Sequence, residues 1–186
     1  MDNRSSSLES NYFIGKYPVN NQVQLEFNNL KNLQLLQVAA WTHTFDKVGK
    51  DISNYLNMEK FPLPNRAVTI NSITMMRIEP LKWWIIGSDI PLISTEEGTT
   101  LDLSHSFTHL EIKGACSTIF LNRFLPIDLR EKSFPVNSTA SSSIHHVSVK
   151  LWRSEKSYNL FIPRGFALSL WEIFLESAAQ FGYEIK

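Results

Sequence analysis

The stretch DLSHSFTHLEIKG, residues 102–114, gathers side chains able to do chemistry: Asp102, Ser104, His105, Ser106 and His109 fall within eight positions. Such residue types serve a serine nucleophile with its base, a metal ion, or simply a polar turn and strand. Read as a strand, the segment sends Asp102, Ser104 and Ser106 to one face and His105 to the other. A nucleophile needs its base within about 3 Å, so a triad local to this stretch is excluded. His105 and His109 would lie roughly 13 Å apart at about 3.3 Å per residue, whereas zinc binds nitrogen at about 2 Å. The adjacent pair His145 and His146 points to opposite faces for the same reason.

The wider sequence supplies no replacement. It has no Cys-x-x-Cys, His-Glu-x-x-His, Gly-x-Gly-x-x-Gly or Walker-type loop, and only seven glycines, so the spacings that hold metals and nucleotides are missing. No catalytic, cofactor-binding or metal-ligating residue is therefore assigned. The histidines are expected to be satisfied by backbone carbonyls or to sit at a partner surface. Asp102 and Ser104 are expected to brace a turn, because short polar side chains bond readily to nearby backbone. Cys116, flanked by small and apolar residues early in a helix, is expected to serve packing.

Composition narrows the classes further. With 186 residues the chain fits one domain or two small lobes around a shared core. Its 18 basic and 18 acidic side chains cancel, which leaves no electrostatic footprint for nucleic acid or anionic lipid. No run of about 18 apolar residues predicts a membrane span, and the start MDNRSSSLES lacks the form of a signal peptide. The single Cys116 favours a reducing cytoplasm. Aromatic residues reach 12%, which points to buried contact with a partner.

Periodicity predicts the elements that position these residues. Residues 1–30 read as an irregular N-terminal arm expected to wrap a partner. A first lobe, 31–97, starts with LQLLQVAAW (33–41) as a buried strand. TFDKVGKDISNYLN (44–57) follows with helical spacing and Thr44 as its N-cap. Strands RAVTI, SITMMRI and WWIIG come next, with EPLK (79–82) as the turn between the last two. A second lobe, 98–186, repeats this grammar: strands, the helix ACSTIFLNRFL (115–125), a polar loop FPVNSTASSS, and the hairpin IHHVSVKLWR/SYNLFI turning at SEKS. The helix GFALSLWEIFLESAAQF closes it. The prediction is an α+β fold of two β-α-β-β (ferredoxin-like) units with a C-terminal amphipathic helix. That helix is apolar around most of its circumference, so it must be covered on more than one side, either by a core filled between the two lobes or by a partner subunit. Trp83, Trp84, Trp152, Phe166, Leu170, Trp171 and Phe174 are accordingly the expected partner interface.

DLSHSFTHLEIKGACSTIFLNRFLPIDL resembles a stretch of the aminomethyltransferase (glycine-cleavage T-protein) family, and RIEPLKWWIIG is similar to its Arg-x-x-Pro-x-x-Trp hairpin. Pro126-Ile127-Asp128-Leu129, Phe134-Pro135-Val136, KLWR (150–153) and the terminal aromatic helix together resemble the gamma subunits of heterotetrameric sarcosine oxidases. The likeness runs over about residues 70–182. It implies a non-catalytic subunit of a complex that oxidises sarcosine to glycine, passes the one-carbon unit to tetrahydrofolate and releases hydrogen peroxide. It also implies partners: a large alpha subunit with beta and delta subunits, which hold FAD, FMN, NAD, zinc and the tetrahydrofolate site, none of them in this chain. Two other readings stand beside it, a free-standing folate-binding aminomethyltransferase-like protein and an α+β scaffold of unrelated function. The related iron–sulfur-assembly branch carries Lys-Gly-Cys-x-x-Gly-Gln, which KGACST (113–118) does not match.

Overall fold

The computed structural model describes residues 6–186. Twelve strands and three α-helices follow one another among them. The first are β1 (Gly15–Tyr17), β2 (Leu25–Leu30), β3 (Leu35–Ala40), α1 (Phe45–Tyr55), β4 (Ala67–Ile70), β5 (Ile73–Glu79) and β6 (Lys82–Ile86). After these come β7 (Gly98–Asp102), β8 (Phe107–Lys113), α2 (Ser117–Leu121), β9 (Thr139–Ile144), β10 (Val147–Arg153) and β11 (Tyr158–Pro163). The chain closes with α3 (Ala167–Ala178) and β12 (Tyr183–Ile185). The class is α+β, with a C-terminal helix as expected.

Two compact units result. The smaller comprises Asn32–His105 and Asn137–Ser141; the larger takes the chain up to Lys31 together with Ser106–Val136 and Ser142–Lys186. The duplication read from the sequence is explicit in the strand orders. The five-stranded sheet runs β4-β5-β6-β3-β7, and the seven-stranded sheet runs β1-β12-β2-β8-β11-β10-β9. In each, a strand leads through a helix to a three-strand meander whose last strand returns to pair with the first: β3 with β6, and β8 with β11. The hairpins RIEPLKWWIIG and LWRSEKSYNLFI are thus β5–β6 and β10–β11, in equivalent places.

Within the smaller unit, α1 lays Val48 and Ile52 against Val38, Met75, Trp83 and Ile85. Phe45 stacks on the Trp83 ring at 4.3 Å. Thr44 is the N-cap residue of α1, as expected, and its carbonyl accepts the Val48 N–H at 2.9 Å, but its side chain makes no capping bond: the hydroxyl donates to the Glu97 carbonyl at 2.6 Å. In the larger unit the alternation of β2 buries Leu25 and Phe27. Phe27 meets Phe120 of α2 at 5.5 Å and Trp171 of α3 at 5.3 Å, both edge to face. Helices packed on one face of a largely antiparallel sheet bury one stripe of each helix and alternate residues of each strand.

Three expectations are corrected. Residues 6–30 are not an irregular arm. They contribute β1 and β2, and β2 is inserted between β12 and β8. Leu8 is buried, Trp171 Nε1 donates to the Asn11 carbonyl at 2.9 Å, and the Tyr12 hydroxyl receives the Asn29 N–H at 2.6 Å. This segment therefore folds onto its own unit. Second, the units do not divide at residues 97/98, because the chain enters the larger unit at both ends and lends 137–141 to the smaller. Third, the polar run TASSSI is strand β9, and His145 and His146 form the turn to β10, with His145 at φ 51.

Candidate interaction surface

The DLSHS stretch is a turn joining β7 to β8. Asp102 Oδ1 accepts the Ser104 N–H at 2.8 Å, and Ser104 Oγ accepts the Leu35 N–H at 3.0 Å. Both residues brace the turn, as their types predict. His105 and Ser106 are exposed there rather than lying in a strand.

His109, four residues on, is buried within β8. Its Nε2 lies 2.8 Å from Asn159 Oδ1, and its ring stacks on Phe161 at 4.4 Å. An amide oxygen only accepts, so Nε2 carries the proton of a neutral ring. Burial pushes its pKa down to about 4, outweighing the Asn159 bond and the Glu111 charge that favour protonation. Ser157 Oγ links this pair to Glu111: it donates to Glu111 Oε1 at 3.0 Å and receives Asn159 Nδ2 at 3.4 Å. Lys113 lies 2.8 Å from Glu111 Oε2. Burial raises the Glu111 pKa, but bonds from Lys113, Ser157 and Asn28 outweigh it, so the net shift is downward. The network holds a histidine neutral and a carboxylate charged, and each of these polar groups has a partner. That is the chemistry of a specified core.

Among the described residues, no group of three or more His, Cys, Asp or Glu side chains converges as metal ligands would. Cys116 Sγ donates to Gln24 Oε1 at 2.7 Å. No helix among them is long and apolar enough to cross a membrane.

The residues expected at a partner surface differ in burial. Trp83, Trp84, Leu170, Trp171 and Phe174 are buried, so they have no area left to offer a partner. On the polar side of α3, Glu172 accepts from Asn11 Nδ2 at 2.9 Å within its own unit. Trp152 is half-buried, with an indole N–H that makes no hydrogen bond. Phe166, in the 3-10 turn Arg164–Phe166 before α3, is 54% exposed and remains available. The sequence reading missed the apolar side chains that do face outward, among them Phe13, Ile14, Leu63, Leu92 and Ile119. Leu92 is flanked by Pro91 in a segment without helical or strand period, and that is the signal by which it could have been singled out.

This α+β arrangement is similar to the folds of a solved aminomethyltransferase and of a solved sarcosine oxidase chain. The aminomethyltransferase T of the glycine cleavage system from Bartonella henselae matches with a TM-score of 0.55 at 12% identity, over 85% of this chain and 47% of that one. A chain of heterotetrameric sarcosine oxidase from Corynebacterium sp. U-96, solved in complex with pyrrole 2-carboxylate, matches with a TM-score of 0.75 at 17% identity, over 96% of both chains.

The sequence narrows the likeness to sarcosine oxidase gamma subunits, as its motifs implied. The sarcosine oxidase subunit gamma of Arthrobacter sp. is 28% identical over 91 residues, 49% of this chain and 45% of that protein. That of Corynebacterium sp. (strain U-96) is 31% identical over 72 residues, 39% of this chain and 35% of that protein. The matched region thus spans less than half the length of these curated relatives. No family model matches the chain.

Proposed function

We propose that this chain is the non-catalytic gamma subunit of a sarcosine-oxidase-type heterotetramer acting in the cytoplasm. It packs against a large alpha subunit, and the beta and delta subunits complete the assembly. The alpha, beta and delta subunits carry the FAD, FMN, NAD, zinc and tetrahydrofolate of the reaction, in which an N-methyl amine such as sarcosine is demethylated with production of hydrogen peroxide. The observation that carries this reading is the fold likeness over 96% of both chains to a chain of a heterotetrameric sarcosine oxidase. The sequence similarity to three curated gamma subunits supports it.

The structure of the chain is consistent with a supporting role. Its one buried histidine is held by an amide and an aromatic ring, and Asp102 and Ser104 are consumed by a turn. The test is reconstitution. The partner subunits are purified with and without this chain, and sarcosine-dependent peroxide formation is measured. The proposal expects a stable, active assembly only when the chain is present. Equal yield and activity without it overturn the reading.

A further inference from the structure

Within the smaller unit, α1 and the loop 88–97 enclose a cleft of about 160 Å³. Val48 and Ile52 of α1 line it on one side, and Pro91 and Ile93 of the loop line it on the other, with Leu92 at the mouth. A cavity of roughly 150 Å³ lined by aliphatic side chains accepts one benzene-sized group, so this one has room for a single aromatic or branched aliphatic side chain. Leu92 stands fully exposed on its lip, at 100%. A lone exposed leucine is ordinary, but one beside an apolar socket of side-chain size offers the hydrophobic centre around which interfaces are built.

The charge around the socket specifies what enters it. Asp51 and Glu97 sit on its rim, and Lys47 lies between them, with its Nζ 2.9 Å from Asp51 and 2.7 Å from Glu97. Two carboxylates around one ammonium leave the rim negative. The loop adds Asp89 and Glu96 and contains no basic residue. An apolar socket with an acidic rim is complementary to an apolar side chain flanked by Lys or Arg.

We infer that this cleft is the docking point of a partner subunit, which inserts one aromatic or branched aliphatic side chain beside a basic residue. The inference rests on the subunit reading above and names the surface that reading requires. It selects a partner over a second copy because the cleft and its own loop are both acidic, so two copies would oppose like charge.

The test uses the tagged full chain co-expressed with the partner subunits, and measures the partner retained and the dissociation constant. Leu92→Asp and Asp51→Lys alter only exposed side chains and are expected to keep the thermal midpoint of the isolated chain. Each is expected to weaken association at least tenfold, and for the wild type association is expected to weaken from 0.1 to 0.5 M NaCl. Leu63→Asp, a control at another exposed leucine of the same unit, is expected to associate as the wild type does. Wild-type association by both cleft variants overturns the inference while leaving the subunit reading intact, and equal loss by Leu63→Asp overturns it too. An isolated chain that dimerises through the cleft, with Leu92→Asp monomeric, overturns the choice of occupant. A wild-type chain that retains no partner overturns the subunit reading and this inference together.

Discussion

His109 Nε2 and Asn159 Oδ1 lie 2.8 Å apart across the β8–β11 ladder, joining the one buried histidine to an amide rather than to an acid or a nucleophile. This has a consequence for pH. The folded-state pKa is about 4, below the ordinary value of about 6.5, so between these limits the unfolded chain binds the extra proton. Stability is therefore complete above about pH 6.5 and falls as the pH drops toward 4, by up to roughly 3 kcal/mol from this group. Urea unfolding at a series of pH values should show this slope. His109→Phe should remove the slope while costing about 1–3 kcal/mol at pH 7 through the unpaired Asn159 oxygen. A slope unchanged in the variant would contradict the assignment.

Trp171 and Phe166 separate core from surface. Trp171 contacts Tyr12 and Phe27, with ring centroids 5.3 Å away in each case. Trp171→Ala should therefore lose about 3–5 kcal/mol and free the Asn11 segment from α3. Phe166→Ala removes a half-exposed ring and should stay within about 0.5 kcal/mol of the wild type. Denaturant melts of the isolated chain read both directly.

Gly114 has φ +111, and a Cβ placed there would sit 2.2 Å from the Gln24 carbonyl oxygen. The nearest atoms all belong to the Gln24–Leu25 backbone, so no flexible side chain can move aside. Gly114→Ala should cost more than roughly 2 kcal/mol. Gly165→Ala, where a Cβ meets nothing within 4 Å, should be close to neutral. The pair is checked by comparing thermal midpoints.

The turn after β7 gives an opposed pair one residue apart. Ser104→Ala strands the Leu35 N–H of a buried residue and should cost about 1–3 kcal/mol. The exposed His105 should tolerate alanine within about 0.5 kcal/mol. Urea unfolding of both variants at pH 7 checks this.

Much of this fold was legible in the sequence because its elements carry their own period. TFDKVGKDISNYLN buries Val48 and Ile52 at helical spacing, and the turn at Pro80 and Leu81 follows directly from EPLK. What escaped notice depends on partners far along the chain. Gly15–Tyr17 is only three residues long and pairs with Tyr183–Ile185, so neither strand shows alternation on its own. Strand β9 hides behind serines because only Thr139 and Ile144 are buried at its ends. The same limit affected the surface. Trp83 and Trp171 read as interface aromatics because the sequence does not show that each is already enclosed by its own unit, while Leu92 sits in a loop with no period to mark it. The turn roles of Asp102 and Ser104 were legible because they are local.

The central claim is that this chain works as a subunit, and native mass spectrometry of the tag-purified chain, co-expressed with the products of its neighbouring genes, tests it most directly. The account predicts a stoichiometric assembly whose mass requires the alpha, beta and delta partners and whose absorbance shows flavin. A monomer at the mass of the chain alone, recovered while the partners assemble without it, would contradict it.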